Sequence, residues 1–340
     1  MPLKFRVFLF FFFTCVGSGF SQYKPSKING ISFVASREEV NQSHIDPVIA
    51  LNANYAAVMP FGFIRSRDLP EIIYNSHRQW FGETNEGAKQ YISMLKKNKI
   101  RVMLKPQIWI SHGEFTGSLI MDSEEDWKAL ETSYRNFILD YAKLAKEVDA
   151  EMFCIGTELE QFIAHRPEYW KKLIREIRSV YKGKLTYAAN WDEYKRFPFW
   201  KDLDYIGVDA YFPVSDSRTP TISEAREGWC KWADEIKGVS EKEKKRVVFT
   251  EFGYRSVDFA GKEPWKSDHN IIDVNLEAQK NTTEALFDEI WNQEWFEGGF
   301  VWKWFIDHNR VGGWNDSQFT PQNKPVEAVI RDHFKETGSK

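Results

Sequence analysis

The sequence predicts an α/β fold, a (β/α)8 TIM barrel, as a single domain over residues 22–340. Short apolar runs alternate with longer amphipathic segments, which is the rhythm of a parallel sheet with crossover helices. Eight such runs recur every ~20–45 residues, the spacing that eight strand–helix units require. The length of 340 residues suits one barrel, which takes about 250 residues and tolerates insertions. A doubly wound open sheet is the rival. It would need a glycine-rich phosphate turn after the first strand, and none follows the run ending at Phe33.

The chain opens with a leader. Lys4 and Arg6 form a charged start, Val7 to Val16 is apolar, and Gly19-Phe20-Ser21 is a small-x-small cleavage pattern placing the cut before Gln22. Residues 1–21 therefore read as a secretory signal peptide. The apolar run is shorter than the ~20 residues that span a bilayer. Lipid anchoring through Cys15 ranks lower, because Phe13-Thr14 suits such a cleavage poorly. The mature protein is expected to be exported, periplasmic or extracellular, with no membrane span.

The strand candidates follow in order: Ile28 to Phe33, Tyr55 to Pro60, Arg101 to Pro106, Ala150 to Gly156, Leu185 to Asn190, Tyr205 to Tyr211, Val247 to Phe252, and Gly299 to Trp304. Helix signals lie between them. Thr84 precedes a helix that ends near Asn98. Ser123-Glu124-Glu125-Asp126 looks like a capping box opening a helix to about Val148. Glu168 to Tyr181 is periodic and stops at Gly183, and Leu276 to Gln293 leads into the last strand through Gly298-Gly299. The run Glu241 to Arg246 reads as a solvated turn. No repeat, low-complexity tract or linker divides residues 22–340.

Composition narrows the function classes. Hydrophobic residues make up 42% and the net charge is -3, so nothing favours nucleic acid or an anionic membrane. Of the three cysteines, Cys154 and Cys230 remain after the leader. They form neither a disulfide framework nor metal-ligand spacing and read as two free thiols. The seven histidines include no HExxH pair, so no metal or cofactor is expected. Asn41-Gln42-Ser43 and Asn281-Thr282-Thr283 match glycosylation acceptors, which matter only in a eukaryotic secretory route. Fourteen Trp is a high count, and several sit beside polar residues, as in Asn190-Trp191-Asp192. An indole face can stack on the C–H face of a sugar. Most of these Trp residues are assigned to the core and a minority to ligand contact.

In a (β/α)8 barrel the chemistry sits at the C-terminal ends of the strands. There the fourth strand ends Gly156-Thr157-Glu158 and the seventh ends Thr250-Glu251-Phe252-Gly253. These two glutamates face each other across the barrel mouth. That pairing is what retaining glycoside hydrolysis requires: one carboxylate attacks the anomeric carbon, and the other protonates the leaving oxygen and then activates water. One glutamate at one strand end would more often be a structural ion-pair partner; two at strands four and seven favour function.

These segments resemble the large clan of retaining (β/α)8 glycoside hydrolases. Within it the mature chain resembles glycoside hydrolase family 113, known for β-mannanases. The supporting segments are Ile28 to Phe33, Ile155 to Leu159, Tyr205 to Tyr211, Phe249 to Tyr254 and Phe300 to Trp304. The resemblance implies Glu158 as acid/base, Glu251 as nucleophile and Tyr211 as hydrogen-bond partner of the nucleophile. It further implies a polysaccharide or oligosaccharide substrate, β-1,4-mannan or a related β-linked hemicellulose. Two positions depart from the clan. Thr157 stands where Asn usually holds the substrate 2-hydroxyl, and Asp209 stands where many members carry His.

Further candidates are weighed singly. Trp302 and Trp304 share a strand face by alternation, and one of them is expected to floor the site, with Trp314 on the following loop. Trp109 and Trp80 are candidates for outer subsites. Asn190, Gln107 and Lys105 are candidates to hydrogen-bond sugar hydroxyls, and His308 to lie at the rim. The protein is expected to act as a monomer. Two alternatives stand beside the leading one: another β-glycosidase or transglycosylase of the clan, and a non-catalytic carbohydrate-binding barrel.

Overall fold

The computed structural model describes residues 27–266 and 273–338. The leader expected over residues 1–21, including Cys15, lies outside the described residues. Within them the strands are β1 (Ile28–Phe33), β2 (Tyr55–Val58), β3 (Phe61–Ile64), β4 (Arg101–Leu104), β5 (Gln107–Ile110), β6 (Met152–Thr157), β7 (Lys184–Asn190), β8 (Ile206–Asp209), β9 (Val247–Phe252) and β10 (Phe296–Trp304). Eight of them close a barrel in the order β1-β10-β9-β8-β7-β6-β4-β2, and β2 pairs back with β1. The pairings are parallel. Each barrel strand corresponds to one of the eight apolar runs.

The remaining two strands, β3 and β5, pair with each other in a separate parallel sheet. The apolar runs around them continue past Pro60 and Pro106, which lack an N–H and stop the barrel ladder. Pairing resumes beyond them, with the Gln107 amide donating to the Pro60 carbonyl at 2.9 Å. The runs expected as Tyr55 to Pro60 and Arg101 to Pro106 are thus each a barrel strand followed by a second short strand.

Alternation along the strands sorts two cores. Tyr55, Ala57, Met103, Met152, Cys154, Val248 and Phe300 fill the barrel interior. Their neighbours Ala56, Val58, Val102, Leu104, Phe153 and Phe249 join the larger core under the helices. Glycines fit where the interior is narrow: a Cβ on Gly207 would clash with the Tyr187 carbonyl and the Thr186 hydroxyl.

The helices are α1 (Gln42–Ala50), α2 (Asn85–Lys97), α3 (Glu124–Glu147), α4 (Glu160–His165), α5 (Pro167–Val180), α6 (Ile222–Glu243), α7 (Leu276–Leu286) and α8 (Pro325–Thr337). Thr84 caps α2 by accepting from the Gly87 amide, and Ser123 caps α3 by accepting from the Asp126 amide. The box at α3 is half made. The Asp126 carboxylate receives the Ser123 hydroxyl at 2.5 Å, being one methylene shorter than the Glu or Gln of a full box. A full box opens α6, where Thr221 and Glu224 bond reciprocally. The last turn of α6 takes in Glu241 to Glu243, so the charged run expected as a turn is helical for its first half. The helix expected from Leu276 to Gln293 is α-helical only to Leu286 and continues as a π-turn over Phe287–Trp291.

Candidate active site

Three barrel strands carry a register irregularity near their C-terminal ends. On β6 the step from Cys154 to Thr157 passes opposite Thr186 to Ala188. On β9 the step from Phe249 to Glu251 passes opposite Val208 to Asp209. On β10 the step from Val301 to Trp304 passes opposite Ile31 to Phe33. Each inserts one extra residue, and a β-bulge re-aims the side chains that follow it. Strict alternation from Val248 would turn Glu251 towards the helices with Phe249; the bulge turns it inward.

A cavity of about 640 Å³ opens where these strand ends meet. Glu251 lies at its floor, 6% exposed. Its Oε1 accepts from Lys105 Nζ at 2.5 Å and Gln107 Nε2 at 2.9 Å, and its Oε2 accepts from the Tyr211 hydroxyl at 2.7 Å. All three partners are donors, so both oxygens act as acceptors, as in an ionised carboxylate.

Lys105 is wholly buried and also reaches Asp209 Oδ1 at 3.2 Å. Burial alone would pull its ammonium down, but Asp209 and Glu251 hold it above the ordinary lysine value. Asp209 is pushed up to about 7, first by burial and then by Glu251; Lys105 and the Thr250 hydroxyl, which donates to Oδ1 at 2.7 Å, pull the other way. One ammonium therefore serves two buried carboxylates.

Glu158 stands differently. It follows β6 with φ of +50°, a left-handed conformation that non-glycine residues rarely adopt. Its amide donates to the Ala188 carbonyl at 2.8 Å, and no described residue hydrogen-bonds its carboxyl. The side chain is open to the cavity, yet deep enough that loss of water raises its pKa well above the ordinary glutamate value. Repulsion from Asp209 and Glu251 adds to this. Two carboxylic acids in one cavity thus meet opposite surroundings, one gripped by donors and one without them.

Gln107, Trp109, Thr157, Asn190, Tyr211 and Trp302 line the cavity with the two glutamates. The Thr157 hydroxyl is buried there without a partner. Trp304 does not join them. The β10 bulge breaks the face it was expected to share with Trp302, and Trp304 is fully buried in the outer core beside His308. Lys105 is no sugar contact either, because its ammonium is used up on Asp209 and Glu251 beneath the cavity. Trp314 is 73% exposed and Trp80 is 43% exposed, and neither lines the cavity. His308 pairs with Glu327 at 2.9 Å.

Sequence reasoning left Trp191, Trp265 and Phe115 unassigned, and they form much of the wall. Trp191 stacks on Trp265 with centroids 4.9 Å apart. The polar neighbours of Trp191 were its signal; Trp265 lies in a loop without any pattern. Five acids line the cavity (Glu114, Glu158, Asp192, Asp209 and Glu251), and no described Lys, Arg or His does. Cys154 is buried, Cys230 is exposed, and both are free thiols. Glu284, Asp288 and His333 could offer three metal-ligand atoms within 4.8 Å of one another, but they belong to the region of α7 and α8, and His333 is bonded to Glu284 at 2.9 Å.

Comparison with known proteins adds the family. The family model described as Glycoside Hydrolase Family 113 matches residues 35–324. No curated protein matches the chain. Among solved structures, a family 113 β-mannanase from Alicyclobacillus acidocaldarius is similar with a TM-score of 0.80 and 23% identity, over 92% of this chain and 98% of that one. A family 113 β-1,4-mannanase gives a TM-score of 0.79 and 22% identity, over 91% and 99%. A β-glucuronidase from Faecalibacterium prausnitzii gives 0.63 and 15%, over 93% of this chain but 50% of that one.

Proposed function

The chain belongs to glycoside hydrolase family 113, and from that premise we propose that it cleaves β-1,4-mannan or a related β-linked hemicellulose with retention of configuration. Glu158 is the acid/base and Glu251 the nucleophile. The observation that carries these roles is the asymmetry of the two carboxyls. Glu251 is fixed by Lys105, Gln107 and Tyr211, while Glu158 is held protonated by burial and by two neighbouring acids.

In the first step Glu158 gives its proton to the glycosidic oxygen as a Glu251 oxygen bonds to the anomeric carbon, and the aglycone departs. Esterification removes the negative charge of Glu251. One of the charges that raise the Glu158 pKa then vanishes, so Glu158 is better able to remain a carboxylate and act as a base. It takes a proton from water, the water oxygen bonds to the anomeric carbon, and Glu251 is released. Two displacements restore the original anomeric configuration.

The wall composition supports a glycan substrate. Trp109, Phe115, Trp191, Trp265 and Trp302 offer faces for sugar C–H surfaces. We also propose export on the leader of residues 1–21; among the described residues no helix is long and apolar enough to cross a membrane.

The test is a glycan panel of mannan, mannooligosaccharides, glucomannan, cellulose and xylan, with wild type and Glu251→Ala side by side. The reading expects mannooligosaccharides to be cleaved by wild type and turnover to be abolished in the variant. Full activity in Glu251→Ala would overturn the roles, and turnover of cellulose alone would overturn the substrate. Sugar binding with no turnover anywhere would favour a non-catalytic barrel.

A further inference from the structure

Glu193 is a buried carboxyl group that the two-step chemistry does not use. It lies in the turn after β7, is 2% exposed, and faces no described cation at salt-bridge distance. Its Oε2 accepts from the Asn190 amide at 3.0 Å and its Oε1 from the Tyr187 hydroxyl at 2.8 Å. The Tyr187 oxygen in turn accepts from the Leu159 amide at 2.5 Å. Leu159 is the residue after Glu158. A continuous chain of hydrogen bonds therefore runs from Glu193 through a tyrosine to the peptide that follows the acid/base.

That peptide needs holding. Glu158 sits in the left-handed region with φ of +50°, where an L side chain persists only if its surroundings fix it. Its own amide is bonded to Ala188 and the next amide to Tyr187, so β7 grips the backbone on both sides of the residue. Tyr187 is itself clamped, its ring stacked on Phe197 with centroids 4.4 Å apart. A neutral acceptor would make this chain more cheaply than a buried carboxylate. Burial pushes Glu193 up to about 8, while the Asn190 amide and the Tyr187 hydroxyl, both donors to it, pull the other way.

We propose that Glu193 is a positioning residue for the general acid. Acting through Tyr187 and the Leu159 amide, it holds Glu158 in the conformation that presents its proton to the leaving oxygen. This rests on the reading of Glu158 as acid/base.

The role has a signature that loss of packing does not share. A leaving group that departs as a stable anion needs no proton, whereas a sugar alkoxide does. Glu193→Gln and Tyr187→Phe are therefore assayed for kcat/KM on two substrates, a mannooligosaccharide and a dinitrophenyl β-mannoside, with Glu158→Gln as control. Both variants are expected to lose tenfold or more on the mannooligosaccharide and less than threefold on the aryl mannoside. Equal losses on both substrates, or no loss on either, would overturn the proposal. Tyr187→Phe keeps the test open if Glu193→Gln does not fold. If Glu158→Gln itself shows no difference between the substrates, the acid/base reading fails; if only Glu158→Gln shows it, that reading stands and the role of Glu193 fails.

Discussion

Lys105→Met tests how the nucleophile is held. Methionine keeps much of the volume and removes the ammonium. In the wild type that nitrogen is 2.5 Å from Glu251 and 3.2 Å from Asp209. Without it two buried carboxylates face each other at less than ~6 Å, which at an effective dielectric constant near 20 costs about 3 kcal/mol. That is roughly two pK units, so the pair takes up a proton and titrates as a unit. The sign is upward. A nucleophile that must be ionised is then partly neutral near pH 6, and kcat/KM there falls severalfold, recovering as pH rises. Breaking a buried ion pair by removing one partner also destabilises by about 3–5 kcal/mol, or on the order of 10 °C in melting temperature. The assay is a pH–rate profile with thermal melts of both proteins. Wild-type activity at pH 6 with an unchanged melting temperature would refute the charge argument.

Other outcomes follow from the same geometry. Tyr211→Phe removes the donor to Glu251 Oε2 and is expected to lower kcat about 10- to 100-fold without unfolding, since a hydrogen bond to a charged group is worth about 1.5–3 kcal/mol; an unchanged kcat would contradict it. Trp109→Ala takes away a half-exposed indole and should raise KM about fivefold, near 1 kcal/mol of stacking, with kcat and melting temperature kept; a lowered kcat at constant KM would place Trp109 elsewhere. Gly207→Ala drives a Cβ into the Tyr187 carbonyl and should cost about 3 kcal/mol or prevent folding, read by urea denaturation. The raised Glu158 pKa keeps the acid protonated above the ordinary carboxylate range, so kcat/KM should fall only as pH rises through that higher value. A fall already complete at pH 5 would remove Glu158 as the acid.

Much of the barrel was legible because its signals are local. The eight apolar runs and the caps at Thr84 and Ser123 follow from burial and from unpaired amides at helix starts. Glu158 and Glu251 were legible because barrel topology fixes where strands four and seven end. The register was not. A bulge is one extra residue against a partner strand, and nothing within β10 announces it. That is why Trp304 fell to the outer core while Trp302 reached the cavity. Lys105 reads as a polar strand-end residue; only the approach of Asp209 and Glu251 from across the barrel makes it a buried counter-ion. Glu193, in Trp191-Asp192-Glu193-Tyr194, looks like a surface acid until the β7 turn folds it inward onto Tyr187.

The central claim is that Glu251 bonds to the anomeric carbon, and a trapped intermediate tests it most directly. Wild-type enzyme incubated with a 2-deoxy-2-fluoro β-mannosyl fluoride, then digested and peptide-mapped by mass spectrometry, should carry one glycosyl group on Glu251. A label on Glu158 or Asp209, or an active enzyme that is never labelled and releases inverted product, would contradict it.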